Sequence, residues 1–165
     1  MPTALDLFER HHLAVFRFLR RLDGTGRHAE DLTQEVFLRV VRALHTYEER
    51  QLEKAWIFRI ARNVWLDHCR GAGRRRDSQP LDEGPVLSVA ARQGIRLALD
   101  EALGQLGETE REAFLMREVG GLGYVEIAEA LAITPGAARN RIHRARLALR
   151  LLLAVSRPMG SRLEG

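Results

Sequence analysis

Apolar residues recur at helical steps along most of this chain, and no segment replaces them with the alternation of a strand. Over residues 5–21 the recurring positions are Leu5, Phe8, Leu13, Phe16 and Leu19, which predict a first helix broken by Gly24 and Gly26. Over residues 29–44, Leu32, Val36, Phe37, Val40, Val41 and Leu44 form one stripe. Glu30, Asp31 and Glu35 lie towards its start, where the helix dipole favours acids. Residues 45–51 are polar and read as a loop, after which Trp56, Ile57, Ile60, Ala61, Val64 and Trp65 mark a third helix running towards Arg70. Three such stripes can close a small core together.

The pattern then lapses. Gly71, Gly73, Pro80, Gly84, Pro85 and the run Arg74, Arg75, Arg76 cannot bury enough apolar surface to order themselves, so a flexible linker is expected over residues 72–92. The chain divides there into residues 1–71 and 93–155, with a tail over 156–165. In the second half Ile95, Leu99, Ala102, Leu103 and Leu106 predict a helix ended by Gly107. Thr109 followed by Glu112 has the spacing of a capping box for the next helix, which Gly120, Gly121 and Gly123 stop. The fold class is therefore all-α: a three- to four-helix bundle and a second small helical domain.

The last helices carry the clearest chemistry. Ile127, Ala128 and Leu131 make the inner face of one short helix, Ile133 plugs a turn, and Ala138, Ile142, Ala145 and Leu149 continue at steps of four, three and four. This is the spacing of a helix-turn-helix, with Thr134 as cap and Pro135 in the first position, where no amide donor is needed. Burying that stripe turns Asn140 and Arg144 outward, beside Gly136, Ala137 and His143. Small residues let the leading turn enter a major groove, Asn matches an adenine edge and Arg forks onto guanine. Arg139, Asn140, His143 and Arg144 are the base-reading candidates, while Arg141, Arg146 and Arg150 suit phosphates or intramolecular pairs. A solvated basic helix whose arginines pair with the acids of residues 108–129 is the plainer reading.

Charge sharpens this picture. Of 26 basic residues in the 165-residue chain only Lys54 is lysine, and they are segregated. Residues 1–76 carry net +5, residues 100–129 net −6 and residues 134–150 net +5. A GC-rich coding sequence would explain the preference for Arg but not the segregation, which favours nucleic acid.

With these residues in view, the chain resembles bacterial RNA polymerase sigma factors of the extracytoplasmic-function group, which keep only sigma regions 2 and 4. The stretch AEDLTQEVFLRVVRAL at 29–44 resembles the family's polymerase-binding helix and WIFRIARNVWLDHCR at 56–70 its promoter-melting helix. YVEIAEALAITPGAARNRIHRAR at 124–146 is similar to its reader of the minus-35 element, for which the candidates are Arg139, Asn140, Arg141, His143 and Arg144. The resemblance implies that Asp31, Gln34, Glu35, Leu38 and Arg39 dock on the polymerase β′ clamp helices. Ordinary dipole complementation also accounts for Asp31 and Glu35. It further implies that Arg59, Arg62, Asn63 and Trp56 handle the minus-10 element as it opens, Trp56 and Trp65 being at core spacing as well. Further implied partners are the β flap, promoter DNA in duplex and single-stranded form, and an anti-sigma inhibitor tied to a stress signal. Two departures stand out: EERQLEKAW precedes the melting helix where a small Ser or Thr pair is usual, and Ala132 occupies the turn where Gly is common.

Other classes recede. No nucleophile, base and acid constellation or phosphate loop appears, and the histidines are scattered, so neither an enzyme nor a metal or other cofactor is expected. One cysteine, Cys69, forms no internal disulfide, and no apolar run approaches the roughly 18 residues of a membrane span. The opening MPTALDLFERHHLAVF lacks the order of an export signal, so a cytoplasmic location is expected. The rival of another class is a stand-alone helix-turn-helix regulator that never joins a polymerase.

Overall fold

The computed structural model describes residues 1–72 and 90–155, with side chains over 1–71 and 94–155. Among the described residues seven α-helices occur in this order: α1 (Ala4–Leu22), α2 (Ala29–Ala43), α3 (Glu53–Ala72), α4 (Ala90–Gln105), α5 (Glu108–Glu118), α6 (Tyr124–Leu131) and α7 (Pro135–Val155). Among the described residues there is no strand, and no helix is long and apolar enough to cross a membrane. The helices claim Ala72 and residues 90–92 from the expected linker; the remainder of the linker and the tail lie outside the described residues.

Helix α1 opens on a capping box the spacing analysis did not single out. Thr3 Oγ1 accepts the Asp6 amide at 3.1 Å while the Asp6 carboxylate accepts the Thr3 amide at 2.8 Å. Its buried face is Leu7, His11, Val15, Phe18, Leu19 and Leu22, which corrects the expected stripe: Leu5, Phe8 and Leu13 are 64%, 42% and 50% exposed. Two apolar stripes run along this helix at helical steps, and the buried one includes a histidine. His11 is held inside by Glu53 at 2.6 Å, so a polar residue marks the core side. Phe8 covers the rim instead, stacked on His12 and edge-on to Phe37.

A loop closes on Asp23, whose buried carboxylate accepts the Thr25 hydroxyl at 3.1 Å and the His28 amide at 3.0 Å. Helix α2 then buries Leu32, Val36, Phe37 and Val40; Val41, assigned to that stripe, points outward and is 57% exposed. After a single 3-10 turn at Leu44–Thr46, Tyr47 packs its ring 5.0 Å from Trp56. The polar loop is thus pinned to the core of the first bundle, which also holds Phe18 edge-on to Phe58 at 5.2 Å.

In the second module α5 and α6 pack on α7 around Leu103, Leu115, Met116, Leu122, Ile127, Ala138, Ile142 and Ala145. Ile95, expected in the core, is 70% exposed. The expected capping box of α5 is also absent: Gly107 occupies the cap position, and Thr109 donates to Glu110 at 3.0 Å. Glu112 is only 4% exposed and accepts from Arg62 of α3, so its carboxylate serves a partner in the other module. The two modules are in contact, α3 lying against α6 and α1 against α5.

Candidate nucleic-acid interface

The turn between α6 and α7 determines how the outer face of α7 is presented. Ala132 ends α6 in the left-handed conformation, φ 56° and ψ 46°, and is the one non-glycine residue with positive φ among the described residues. The Ile133 amide then donates to the Ala128 carbonyl at 2.9 Å, closing the last turn of α6. Thr134 Oγ1 accepts the Ala137 amide at 3.1 Å and Pro135 begins the helix, as the residue types dictate. Ala138, Ile142, Ala145 and Leu149 are all buried, so the stripe read from the sequence is the packed one.

That packing leaves Pro135, Gly136, Arg139, Asn140, His143 and Arg144 exposed along one face, with Arg141 half-buried. The leading turn is small and the next two turns present an amide, an imidazole and two guanidinium groups, a set that matches base edges and phosphates. The arginines are not equally free. The Arg139 guanidinium lies 5.0 Å from the Tyr124 ring centroid, and that of Arg117 lies 4.6 Å from the same ring. Arg146 donates to Glu118 at 2.6 Å, and that bond raises the guanidinium above its ordinary pKa. Arg144 stands 4.0 Å from Glu110 and is 67% exposed, a loose pair that leaves it available. The plainer reading of paired arginines therefore holds for Arg146 and not for the exposed face. Tyr124, which spacing analysis passed over, is the residue on which Arg139 rests; its place at the first position of α6 is its only sequence signal.

In the first module Asp31, Gln34 and Leu38 are exposed along α2, with Glu35 half-buried beside them. Arg39 is committed: it donates to Asp67 of α3 at 2.8 Å and to Glu35 at 3.0 Å, and both bonds raise its pKa, Asp67 more. It straps α2 to α3 and holds Glu35 in place. Leu38 and Val41, at 50% and 57% exposure, add an apolar strip beside these polar groups. On α3, Asn63 is exposed, whereas Arg59 donates to the Glu129 carbonyl at 2.6 Å and Arg62 to the Glu112 carboxylate at 3.0 Å. Trp56 is 8% exposed against Tyr47, which removes it from the base-stacking candidates; Trp65 is half-buried near His68. Among the described residues no three His, Cys, Asp or Glu side chains gather as metal ligands. Burial pushes the Cys69 thiol up, with Glu108 adding to the rise.

A helical bundle joined to a helix-turn-helix with an arginine-rich outer face defines a two-module DNA-binding protein. Sigma-70 region 2 matches residues 7–75 and Sigma-70 region 4 matches residues 96–149. The chain is 37% identical over 155 residues to RNA polymerase sigma factor CarQ of Myxococcus xanthus, covering 90% of this chain and 87% of that one. It is 35% identical over 162 residues to ECF RNA polymerase sigma factor SigE of Mycolicibacterium smegmatis, covering 93% of this chain but 63% of SigE. Among solved structures, the sigma factor RpoE in complex with the anti-sigma factor NepR from Bartonella quintana matches 91% of this chain and 96% of that one. Its TM-score is 0.71 at 26% identity. CnrH in complex with the cytosolic domain of CnrY matches 93% of this chain and 88% of that one, with TM-score 0.73 at 26% identity. The chain belongs to the sigma-70 family of RNA polymerase sigma factors, in its extracytoplasmic-function group.

Proposed function

We propose that this protein joins core RNA polymerase through the exposed face of α2 and directs it to promoters read at two places. Asp31, Gln34, Glu35 and Leu38 meet the β′ clamp helices, with Arg39 positioning Glu35, and Val41 extends the apolar part of the contact. Arg59, Arg62 and Asn63 then follow the minus-10 strand as it opens, supplying cationic and amide contacts that offset the few kcal/mol needed to extrude a base. Asn140, His143 and Arg144 read the minus-35 duplex in the major groove, with Arg139 and Arg141 fixing register on phosphates. The β flap and an anti-sigma factor are the further partners, and the work is cytoplasmic and non-catalytic, since the polymerase supplies the chemistry.

The observation that carries this reading is the outer face of α7. Asn140, His143 and Arg144 stand exposed on a helix whose opposite side is fully packed, at the end of a capped turn. The test is specific run-off transcription by core enzyme on a promoter library with and without the chain. A sigma factor adds defined start sites only when polymerase is present. A stand-alone regulator would instead protect a palindromic duplex without polymerase and add no start site.

A further inference from the structure

We infer that Tyr124 is a positioning residue for promoter recognition: its ring holds the Arg139 guanidinium ready for a phosphate of the minus-35 duplex without cancelling its charge. The inference rests on the assignment of Arg139 to the minus-35 backbone. Tyr124 is the first residue of α6, and Arg139 lies in the second turn of α7. The Arg139 guanidinium carbon stands 5.0 Å from the Tyr124 ring centroid. An aromatic face attracts a cation through its quadrupole and carries no net charge, so the guanidinium it holds keeps its full charge. A carboxylate in the same place would hold the group by neutralising it.

The other arginines of α7 make the contrast. Arg146 donates to Glu118 at 2.6 Å, and Arg144 stands 4.0 Å from Glu110. Among the described residues no carboxylate pairs with Arg139. Glu126, the acid in the first turn of α6, accepts the Gly123 amide at 2.9 Å and so serves its own helix. Arg139 is thus exposed, charged and restrained, by a contact that spends none of the five N–H donors along the guanidinium edge. Those donors are what a bidentate contact to phosphate uses.

The ring is itself held from the other side of the module. Arg117 of α5 lies 4.6 Å from the same centroid and donates to the Leu122 carbonyl at 3.2 Å, in the turn where the Leu122 side chain is fully buried. The packed turn between α5 and α6 therefore fixes the ring, and the half-buried ring fixes Arg139. In a helix-turn-helix the first helix crosses the DNA backbone while the second enters the groove. A guanidinium drawn back to the first residue of α6 is aimed at the strand and not at a base edge, which leaves Asn140, His143 and Arg144 to read sequence. The Tyr124 hydroxyl has a separate and smaller part: it adds to the raised pKa of Arg146, after the Glu118 bond.

The test measures binding of holoenzyme containing the full chain to a promoter fragment selected in the run-off assay, for Arg139→Ala, Tyr124→Leu, Tyr124→Phe and the Tyr124→Leu, Arg139→Ala double variant. Arg139→Ala should weaken binding alike for every base at each minus-35 position, and the slope of log affinity against log salt should become shallower by about 0.9, as for one phosphate lost. Tyr124→Leu frees a side chain that binding must then immobilise, a loss of about two- to tenfold that is again alike for every base. Tyr124→Phe should stay within about twofold of wild type, and so should the effect of Tyr124→Leu once Arg139 is alanine. In the free chain the ring should shift the Arg139 side-chain proton resonances upfield, in wild type and Tyr124→Phe but not in Tyr124→Leu. Circular dichroism establishes that each variant is folded; should Tyr124→Leu lose helicity, Tyr124→Met takes its place. Wild-type affinity for folded Tyr124→Leu overturns the inference, as does an equal loss with and without Arg139, or Tyr124→Phe as weak as Tyr124→Leu. Failure of the assignment beneath it has a separate signature: Arg139→Ala alone would keep the wild-type affinity and salt slope while the upfield shift stood.

Discussion

Ala132 is the position where a single substitution tests the geometry of the reading turn. An L-residue in the left-handed region costs roughly 1–2 kcal/mol, and Ala132 is held there at φ 56°. Glycine removes that penalty but brings back roughly 0.5–1 kcal/mol of unfolded-chain entropy. The net expectation for Ala132→Gly is a gain of about 0.7 kcal/mol, which for a module of this size raises Tm by about 3–5 °C. Ala132→Val should move the other way and by more, because a branched Cβ strains that conformation further. Differential scanning calorimetry on the full chain measures both, and affinity for a minus-35 duplex, measured in holoenzyme, should change little with Ala132→Gly because the outer face of α7 is untouched. A lower Tm for Ala132→Gly, or equal values for the Gly and Val variants, would refute the left-handed turn.

Other perturbations test separate parts of the account. Arg144→Ala should lower discrimination at one minus-35 position by about 1–3 kcal/mol, seen as a flattened preference when each base is varied in holoenzyme binding; a uniform loss at all positions would make it a phosphate contact. Asp31→Ala should weaken capture of core polymerase while leaving the folding free energy within about 0.5 kcal/mol of wild type in urea unfolding, and a matching loss of stability would reduce it to a dipole partner. Ile142→Ala removes a side chain that is 1% exposed beneath the reading face and should destabilise the second module by about 2–5 kcal/mol in urea unfolding. Cys69 has its thiol raised first by burial and then by Glu108, so little thiolate is present near neutral pH, and alkylation should quicken as pH rises past the ordinary thiol range. An alkylation rate that stays flat across that range would contradict the raised thiol.

The helix-turn-helix was legible because its two inner stripes contain only apolar residues and the exposed side of α7 from Pro135 to Arg144 carries no large aliphatic one. Ala138, Ile142, Ala145 and Leu149 could be assigned from spacing alone, and Thr134 from its residue type. Helix α1 was not, since apolar residues mark two of its faces and the buried one carries His11, whose reason for being inside is Glu53, 42 positions away. Val41 and Ile95 misled for a related cause: they fit a helical stripe but sit on faces left open in this structure. Glu112 read as a local cap three residues after Thr109, and its true partner Arg62 lies in the other module. Arg59 and Arg62 entered only through the resemblance, as residues handling the minus-10 element, and nothing local to them indicates that Glu129 and Glu112, 70 and 50 residues distant, take their hydrogen bonds. Spacing reports what a helix buries, and it is silent on which distant element covers the remaining face.

The most direct measurement is footprinting of promoter DNA by core polymerase with this chain added, combined with permanganate probing for unpaired thymines. The account predicts chain-dependent protection over the minus-35 element together with reactive thymines at the minus-10 element, neither appearing with polymerase or chain alone. Protection of duplex by the chain in the absence of polymerase, with no thymine made reactive when polymerase is added, would contradict it.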